Sequence, residues 1–453
     1  MVAQILPVKA NARPMPRVSG GLPLIGHAKE MQRDFLGLIT RARDEGGDVC
    51  FIQAGPRRVA IVSDPALAQY ILVDNPKNYS KQTRGYDQLR KMLGNGLVTS
   101  EGSFWLRQRR IAQPAFHRDK LANWSALIQR DADEMIDRWP LDGSAFDFDK
   151  EMMKLTMRII GELLFSVDLS SDSDAAGAAF SEVVHQALQR TVALVNWPQV
   201  VPTARNLRFG KAKKTLDDLV FGIIKQRRAG ESKPDLISML MDAVDEETGE
   251  RMDDQQLRDE AMTAFGAGHE TTSAALAWTL HSLLDHPEVE KRLRAEIASV
   301  GGTPISLPSL MKMPYLDAVL KESLRLHPPI WMVARCCESD DVLGGYALRK
   351  GDLVFVSQWV IHRHPKLWKD PLRFDPERFM VEDPTRHKYA YFPFLGGPRK
   401  CIGDQLALLE AKLILTTLLQ RVRFQRVPGH VVTLDPAVSL RMLHGLRVTA
   451  TPA

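Results

Sequence analysis

Apolar residues recur at spacings of three and four over long parts of the chain, a pattern typical of helices that bury one face. On this basis we predict helices at 104–115, 124–139, 150–165, 254–286 and 316–326. Pro287 ends the fourth of these helices and Pro328 ends the fifth, because proline cannot continue a helix. The pattern therefore predicts a protein built mainly from helices.

A second pattern predicts a small amount of sheet. The segment 48–64 contains two short apolar runs that meet at Gly55–Pro56, which favours a hairpin. Shorter strand-like runs occur at 353–356 and within 431–448. The expected fold class is mainly α with small β-sheets.

Composition narrows the class of protein. The chain has 453 residues, of which 44% are hydrophobic and 25% charged, as in a globular protein with a large core. The net charge of +5 is too diffuse to indicate nucleic-acid binding. No stretch reaches the roughly 18–20 apolar residues of a membrane span, and the N-terminus lacks a signal-peptide pattern. We therefore expect a cytoplasmic protein without a membrane anchor.

The chain shows one change in composition along its length. Residues 1–27 are rich in proline and glycine and are expected to run over the surface. No internal repeat or linker follows them, so we expect residues 28–453 to form a single domain.

Four cysteines are present: Cys50, Cys336, Cys337 and Cys401. No pair has the spacing of a zinc site or a redox motif, and so few cysteines do not indicate a disulfide framework. Cys401 follows a glycine- and proline-rich loop and precedes a helical pattern at 404–419. The start of that helix would stabilise a thiolate, and the glycines would let a flat ligand approach the backbone. A lone thiolate in this setting suits an axial heme ligand, although an isolated cysteine before a helix is more often structural.

The loop itself reads Phe394-Leu-Gly-Gly-Pro-Arg-Lys-Cys401-Ile-Gly403. It resembles the heme-binding loop of the cytochrome P450 family, pattern FxxGxRxCxG, and matches every fixed position. The resemblance implies that Cys401 ligates the iron of heme b, that Arg399 pairs with a heme propionate, and that Phe394 belongs to the cofactor-binding loop. It also implies the P450 fold, with the heme buried between a long central helix and the loop that carries the cysteine.

Two further segments resemble structural motifs of that family. Glu322 and Arg325 lie three residues apart, so they share a helix face and can pair. Such a pair is weak evidence alone, but its flanks resemble the family's ExxR helix, and the segment that contains Arg378 resembles the PERF segment. The resemblance implies that Glu322, Arg325 and Arg378 form a buried network that supports the heme loop.

The predicted long helix contains the segment Ala267-Gly268-His269-Glu270-Thr271-Thr272. Gly266 and Gly268 each cost a helix interior about 1 kcal/mol relative to alanine, so we expect the helix to bend or open to a ligand here. Alone, the segment is more typical of an irregular buried helix. It resembles the family's [AG]Gx[DE]T motif, which implies that Glu270 is the acid and Thr271 the alcohol that deliver protons for O–O cleavage.

Trp105 and Arg109 lie four residues apart, which places them on one helix face. They resemble the family's WxxxR helix, which binds a heme propionate, and Arg335 falls where the family often places another propionate-binding arginine. Without the resemblance, core packing for Trp105 and a surface position for Arg109 would be the simpler interpretation.

Together the motifs imply a heme-thiolate monooxygenase that uses dioxygen and inserts one oxygen atom into a hydrophobic small molecule. A peroxide-driven peroxygenase is an alternative, but such members tend to lack the acid–alcohol pair. A non-catalytic heme sensor is a weaker alternative, because it has no use for that pair. The chain ends about fifty residues after Cys401, so we expect electrons from a separate ferredoxin- or flavodoxin-type protein with its NAD(P)H reductase. We also expect a monomer.

Substrate contacts are placed by analogy with the family. The expected pocket residues are mainly apolar, which favours a fatty acid, terpenoid or steroid-like substrate; they are Ala267, Ile330, Trp331, Val333 and Leu440. The segments 86–98 and 194–201 correspond to the loop over the heme and to the variable lid, and 439–442 should point into the pocket. Arg441 either holds a substrate carboxylate or faces outward. Arg107, Arg110 and Lys400 either form a basic patch for the electron donor or are simply solvated.

Overall fold

A computed structural model describes residues 12–116, 118–168, 200–231, 233–302 and 304–453, with isolated positions between 179 and 198. The helices are α1 (Ala28–Arg33), α2 (Phe35–Gly46), α3 (Pro65–Gln69), α4 (Arg84–Leu93), α5 (Gly102–Ala112), α6 (Arg118–Ile136), α7 (Phe148–Phe165), α8 (Ala204–Arg228), α9 (Leu236–Asp242), α10 (Asp254–Asp285), α11 (Pro287–Val300), α12 (Leu307–Leu310), α13 (Pro314–Leu326), α14 (Gln358–Ile361) and α15 (Asp404–Arg421).

The strands are short. They are β1 (Val49–Ala54), β2 (Arg57–Val62), β3 (Tyr79–Ser80), β4 (Ala145–Asp147), β5 (Val333–Cys337), β6 (Asp341–Leu343), β7 (Tyr346–Leu348), β8 (Leu353–Val356), β9 (Val422–Arg426), β10 (Leu434–Pro436), β11 (Leu440–Met442) and β12 (Arg447–Pro452). The mainly helical fold class predicted from the sequence is confirmed.

The chain divides into two compact units. The first unit comprises the residues up to Tyr86, Arg325–Arg373 and Glu382–Cys401. It is organised by a five-stranded sheet in the order β1-β2-β8-β5-β3, in which only β2 and β8 run parallel. The predicted hairpin is present, because Ala54 pairs with Arg57 across a turn in which Gly55 has φ +59°. Apolar side chains of these strands form the core of this unit.

The second unit comprises Asp87–Leu324, Phe374–Val381 and Ile402–Ala453 and contains most of the helices. Its central element is α10, which begins at a capping box formed by Asp253 and Gln256 and ends before Pro287. Helix α7 packs along α10 closely, since a side chain at Gly268 would come within 3.0 Å of Ile160. A three-stranded sheet (β4-β12-β9) and the hairpin β10–β11 complete this unit.

Most residues of 12–27 are exposed or half-buried, although Met15 and Val18 are buried and Arg17 forms a β-bridge with Phe51. The segment 86–98 is not simply a loop, because α4 covers its first half. Most of 194–201 lies outside the described residues, as do residues 1–11. The single domain expected for 28–453 stays a prediction.

Glu410 is a carboxyl group buried in the middle of α15, where only 6% of the residue is exposed. Burial raises its pKa to about 8. The folded state therefore holds this proton where the unfolded chain has lost it, so stability should fall as pH rises from about 4.5 to about 8. We expect Glu410→Gln to raise the free energy of unfolding at about pH 8 by roughly 1–4 kcal/mol, with little change at about pH 5.

Denaturant unfolding at the two pH values measures this effect. Glu288→Gln, at an exposed position of α11, is the control and should leave the pH dependence unchanged. An equal pH dependence in Glu410→Gln and in the natural protein would show that Glu410 does not cause it.

Candidate active site

The loop before Cys401 is held by tight turns. The Cys401 amide donates to the Phe394 carbonyl at 3.0 Å, and the Lys400 amide donates to the Gly397 carbonyl at 3.1 Å. Gly397 has φ +67°, and a side chain there would come within 2.2 Å of the Leu72 carbonyl oxygen. A side chain at Gly396 would come within 2.1 Å of the Tyr389 hydroxyl. Both glycines are therefore required by close packing against the protein itself, and Gly397 also by its positive φ.

Cys401 differs from the other cysteines in its surroundings. Cys401 is exposed, whereas Cys50 and Cys337 are buried and Cys336 is half-buried. Burial raises the pKa of Cys50 and of Cys337 to about 12, and it also raises the pKa of Cys336. Since a metal ligand must be a thiolate, Cys401 is the thiol best suited to that role.

One face of α10 is accessible although most of the helix is buried. Ala267 is exposed, and Ala264 and Thr271 are half-buried; these positions are separated by three and four residues and so lie on one face. The Thr271 hydroxyl donates to the Ala267 carbonyl at 2.8 Å, which leaves its lone pairs to accept a hydrogen bond on the accessible side. The helix continues through this segment without a break.

Glu270 follows on the same helix but is buried, with 8% of its side chain exposed. Its Oε1 accepts a hydrogen bond from the Ser439 hydroxyl at 2.7 Å and lies 3.8 Å from Nε of Arg441. The neighbouring His269 is also buried, and its Nδ1 lies 2.7 Å from the Phe265 carbonyl oxygen. Burial lowers the pKa of His269, so its imidazole is neutral near pH 7.

Arg335 is a buried cation in the first unit, where 3% of the residue is exposed. It donates hydrogen bonds to the Tyr86 hydroxyl at 3.3 Å and to the Ala334 carbonyl at 2.8 Å. Among the described residues, no carboxylate forms an ion pair with it. A buried guanidinium is costly without a counter-charge, so this position suits an anionic group of a ligand.

The other predicted cofactor-binding residues lie on α5 and in the loop before Cys401. Trp105 is buried on α5, and Arg109 is half-buried on the same helix with its Nε 3.4 Å from the Gln113 side-chain oxygen. Arg399 is half-buried in the turn Gly397–Arg399. Phe394 is half-buried at the start of the cysteine loop.

Each residue of the predicted structural network is hydrogen-bonded within the protein. Glu322 is fully buried, and its Oε1 accepts hydrogen bonds from Nε of Arg378 at 3.2 Å and from the Asp375 amide at 2.8 Å. Arg325 is also fully buried. Its guanidinium donates to three carbonyl oxygens, those of His362, Pro371 and Arg373.

Comparison with known protein families shows to which family the chain belongs. The family model described as Cytochrome P450 matches residues 16–441. The chain belongs to the cytochrome P450 family. Its fold agrees with a solved P450, the crystal structure of the cytochrome P450DA heme domain, with a TM-score of 0.90 and 27% identity over 98% of this chain and 99% of that one.

Two curated P450 relatives come from Streptomyces. The cyclooctat-9-en-7-ol 5-monooxygenase of Streptomyces melanosporofaciens is 35% identical over 435 residues, covering 94% of each chain. The pentalenene oxygenase of Streptomyces avermitilis is 33% identical over 426 residues, covering 93% of this chain and 92% of that one. This P450 is therefore a heme-dependent monooxygenase, as the sequence motifs implied. In the part of the chain that the structure describes, no helix has the length and apolar character needed to cross a membrane.

The residues of this P450 fit a heme. The family uses a cysteine thiolate as the axial ligand, and Cys401 is the exposed thiol at the matching position. Heme b carries two propionates, and Arg335 is a buried guanidinium whose ion-pair partner is missing among the described side chains. Gly396 and Gly397 let the cysteine loop pack closely against Tyr389 and Leu72, which fixes the turn that presents Cys401.

The five residues predicted to line the substrate pocket of the P450 differ in their exposure. Ala267 is exposed on the accessible face of α10, and Ile330 is half-buried. Val333 and Leu440 are buried. Trp331 is buried with its ring edge-on to Phe35 at 5.3 Å, which is a core contact. The assignment of all five to the pocket stays a prediction.

The expected basic patch around the P450's heme helix is not formed as proposed. Arg107 forms an ion pair with Glu250, and Arg110 forms ion pairs with Asp245 at 2.6 Å and Glu247 at 2.9 Å. The charges of both arginines are thus compensated by the segment 245–250. Lys400, next to Cys401 in the chain, is exposed.

The surroundings of Glu270 are not predicted by the sequence motifs. Ser439 is expected in the pocket and Arg441 as a substrate anchor or an outward-facing residue, whereas the structure places both near Glu270. Ser439 belongs to the turn before β11, so strand alternation does not link the two residues in the sequence. Tyr86, which accepts a hydrogen bond from Arg335, was placed in a loop without a role.

Proposed function

We propose that this P450 inserts one oxygen atom from dioxygen into a neutral, hydrophobic molecule of the terpenoid type. The accessible face of α10 carries the proposal, because it places apolar Ala267 and the Thr271 hydroxyl together beside the buried carboxylate of Glu270. An apolar face with one hydroxyl suits an apolar substrate and an ordered water.

In this proposal, heme held by Cys401 supplies the activation of dioxygen. Arg399, Arg335, Trp105 and Arg109 bind its propionates, and Phe394 is part of the loop against which it lies. Arg335 is the best supported of these, because it is buried without a carboxylate partner among the described residues.

Thr271 and Glu270 have the proton-delivery role. Because the Thr271 hydroxyl donates to the helix backbone, it can accept a hydrogen bond from a water on the accessible side and so hold that water in place. Glu270 is buried on the same helix and is an adjacent group that can exchange protons. Each residue holds or moves a proton, and neither ligates the metal.

Two observations narrow the substrate class among the fatty acids, terpenoids and steroids. The names of two relatives denote an unsaturated alcohol, cyclooctat-9-en-7-ol, and an unsaturated hydrocarbon, pentalenene. In addition, Arg441 lies 3.8 Å from Glu270 and 3.6 Å from Asp435, so it is already engaged by carboxylates of the protein. A substrate carboxylate would have to displace these partners, which favours a neutral substrate.

Electrons come from a separate ferredoxin- or flavodoxin-type protein with its NAD(P)H reductase. Because Arg107 and Arg110 are paired, the donor would have to use other basic residues, among which Lys400 adjoins the cysteine. The protein is proposed to act as a monomer.

The test begins with the absorption spectrum of the dithionite-reduced protein with and without carbon monoxide. A strongly red-shifted Soret band is expected for thiolate ligation. Cyclooctat-9-en-7-ol and pentalenene are then added in separate titrations, and the change in heme spin state reports their binding. A saturated fatty acid and a steroid, which represent the other two substrate classes, are titrated in the same way. Tight binding of the fatty acid alone would overturn the proposed substrate class.

Turnover distinguishes the dioxygen route from the peroxide-driven alternative. With ferredoxin, its reductase, NADPH and isotopically labelled dioxygen, the product should carry one labelled oxygen atom. Product that forms with hydrogen peroxide but not with the reductase system would identify a peroxygenase instead.

Thr271→Ala should leave the carbon monoxide spectrum unchanged but lower the product formed per NADPH by at least about 10-fold, because the water that donates protons loses its anchor. Thr271→Ser keeps the hydroxyl and should stay close to the natural protein. The measurement compares NADPH oxidation, hydrogen peroxide release and product. Equal coupling in the alanine and natural proteins would remove Thr271 from proton delivery.

A further inference from the structure

The hairpin β10–β11 presents two polar residues to one side. Asp435 pairs with Arg441 in its antiparallel register, and Ser439 lies two residues before Arg441. Ser439 ends the turn that precedes β11, and its hydroxyl and the Arg441 guanidinium lie near the same carboxylate, that of Glu270. Ser439 and Leu440 are buried, and Arg441 is half-buried.

Three consecutive residues of this hairpin contact α10. The Ser439 hydroxyl donates to Oε1 of Glu270 at 2.7 Å, and Nε of Arg441 lies 3.8 Å from the same oxygen. The Leu440 carbonyl accepts a hydrogen bond from the indole of Trp278 at 2.8 Å, two turns further along α10. The hairpin is therefore held to α10 at Glu270 and again two turns further along at Trp278, so its position relative to the carboxylate is well defined.

The guanidinium of Arg441 lies near more than one carboxylate. Besides Glu270, it lies 3.6 Å from Asp435. Asp149, at the start of α7, interacts electrostatically with the same groups. Its pKa is raised to about 6, chiefly by burial and also by the charges of Asp147 and Glu270, while the charge of Arg441 opposes the rise. The remaining charged group is the exposed Lys150, while the neutral His269 contributes no positive charge.

We propose that Ser439 and Arg441 are positioning residues for Glu270 in proton delivery. The Ser439 hydroxyl fixes the direction of the carboxylate, and the Arg441 guanidinium compensates its negative charge. This inference rests on the proposed function of Glu270 as the acid. It assigns Arg441 to the carboxylates of Glu270 and Asp435, 3.8 and 3.6 Å away, instead of to a substrate carboxylate.

The charge-assisted hydrogen bond from the Ser439 hydroxyl to Glu270 gives the proposal its most direct test. Such a bond is shorter and stronger than a neutral one, and its donor holds one oxygen of the carboxylate in place. Losing it lets the carboxylate rotate away from the geometry that proton transfer needs. The effect should therefore appear in the coupling of electrons to product and not in heme binding or substrate affinity.

The test compares Ser439→Ala and Arg441→Gln with the conservative variants Ser439→Thr and Arg441→Lys. Thr433→Ala is the matched control, because it removes an exposed hydroxyl from the same hairpin. For Ser439→Ala we expect product per NADPH to fall by roughly 10-fold, with recovery in Ser439→Thr. The reduced carbon monoxide spectrum and the dissociation constant of the bound probe should match those of the natural protein.

A readout independent of turnover is the infrared carboxylate stretch of Glu270, identified by subtracting the spectrum of Glu270→Gln. Its frequency should shift in Ser439→Ala, since a hydrogen-bond donor is removed, and should stay unchanged in Thr433→Ala. Full coupling and an unshifted band in Ser439→Ala would overturn the proposal. If Arg441→Gln instead weakens fatty-acid binding while coupling is kept, Arg441 is a substrate anchor and the proposal is wrong.

These outcomes are separable from failure of the proposed function. If Thr271→Ala uncouples the enzyme and Ser439→Ala does not, proton delivery from α10 stands and the positioning role fails. If the natural protein shows no red-shifted band with carbon monoxide, the proposed function fails, but the infrared comparison still decides whether Ser439 orients Glu270.

Discussion

Replacing Cys401 by alanine is expected to remove the strongly red-shifted Soret band of the reduced protein with carbon monoxide, and with it the oxygenase activity. The thiolate is the ligand that favours O–O cleavage, and the loss of even an outer-shell partner costs a metal site about 10- to 100-fold. We therefore expect turnover to fall by roughly 100-fold or more. Heme content and the carbon monoxide spectrum, measured side by side, separate loss of the thiolate from loss of the cofactor.

The other cysteines should not replace Cys401. Burial raises the pKa of Cys50 and of Cys337 to about 12, so their thiolates are disfavoured near pH 7. Cys336 is half-buried and its pKa is also raised, which makes Cys336→Ala the matched control with an unchanged spectrum. A thiolate-type spectrum that persists in Cys401→Ala would mean that the axial ligand has been misassigned.

Sequence patterns predicted the helices and the hairpin whose formation depends on interactions between residues close together in the chain. The long helix α10 was predicted to within a residue, because apolar spacing, the cap at Asp253 and the break at Pro287 all act within one or two turns. The hairpin β1–β2 was predicted for the same reason. Helix α4 was assigned to a loop by analogy, although Tyr86, Leu89 and Leu93 follow helical spacing.

The contacts that complete the candidate site could not be predicted from such local patterns. Ser439 and Glu270 are 169 residues apart, and nothing in either neighbourhood indicates that they meet. Met15 and Val18 are isolated apolar residues among prolines, and their burial depends on pairing with the distant Phe51. Similarly, only the folded chain shows that Arg107 and Arg110 are compensated by acids of 245–250. Sequence motifs identified candidate chemical groups, whereas their partners required tertiary structure.

The buried Arg325 should be the most important single residue for stability among those in the predicted Glu–Arg–Arg network. It is completely buried, and its guanidinium donates to the carbonyls of His362 at 2.8 Å, Pro371 at 2.7 Å and Arg373 at 3.1 Å. Its carbon Cζ also lies 5.0 Å from the centre of the Trp368 ring. These bonds tie α13's C-terminal end to the segment 362–373, within the first unit.

Arg325→Met keeps much of the side-chain volume but leaves three carbonyl oxygens without their donor. Each unsatisfied buried acceptor costs about 1–3 kcal/mol, so we expect the free energy of unfolding to fall by roughly 3–5 kcal/mol, measured by denaturant unfolding. Arg325→Lys should rescue little, because one ammonium cannot reproduce the planar fork that reaches three acceptors.

Arg292→Met is the matched control, since it removes an arginine that is half exposed and forms an ion pair with Glu377. Exposed ion pairs contribute about 0–1 kcal/mol, so this variant should stay close to the natural protein. If the two methionine variants lose equal stability, the network's contribution is no more than that of a surface pair. A large loss confined to Arg325→Met would instead show that the segment 362–373 depends on a buried cation, which explains why an arginine is retained where an apolar residue would otherwise fit.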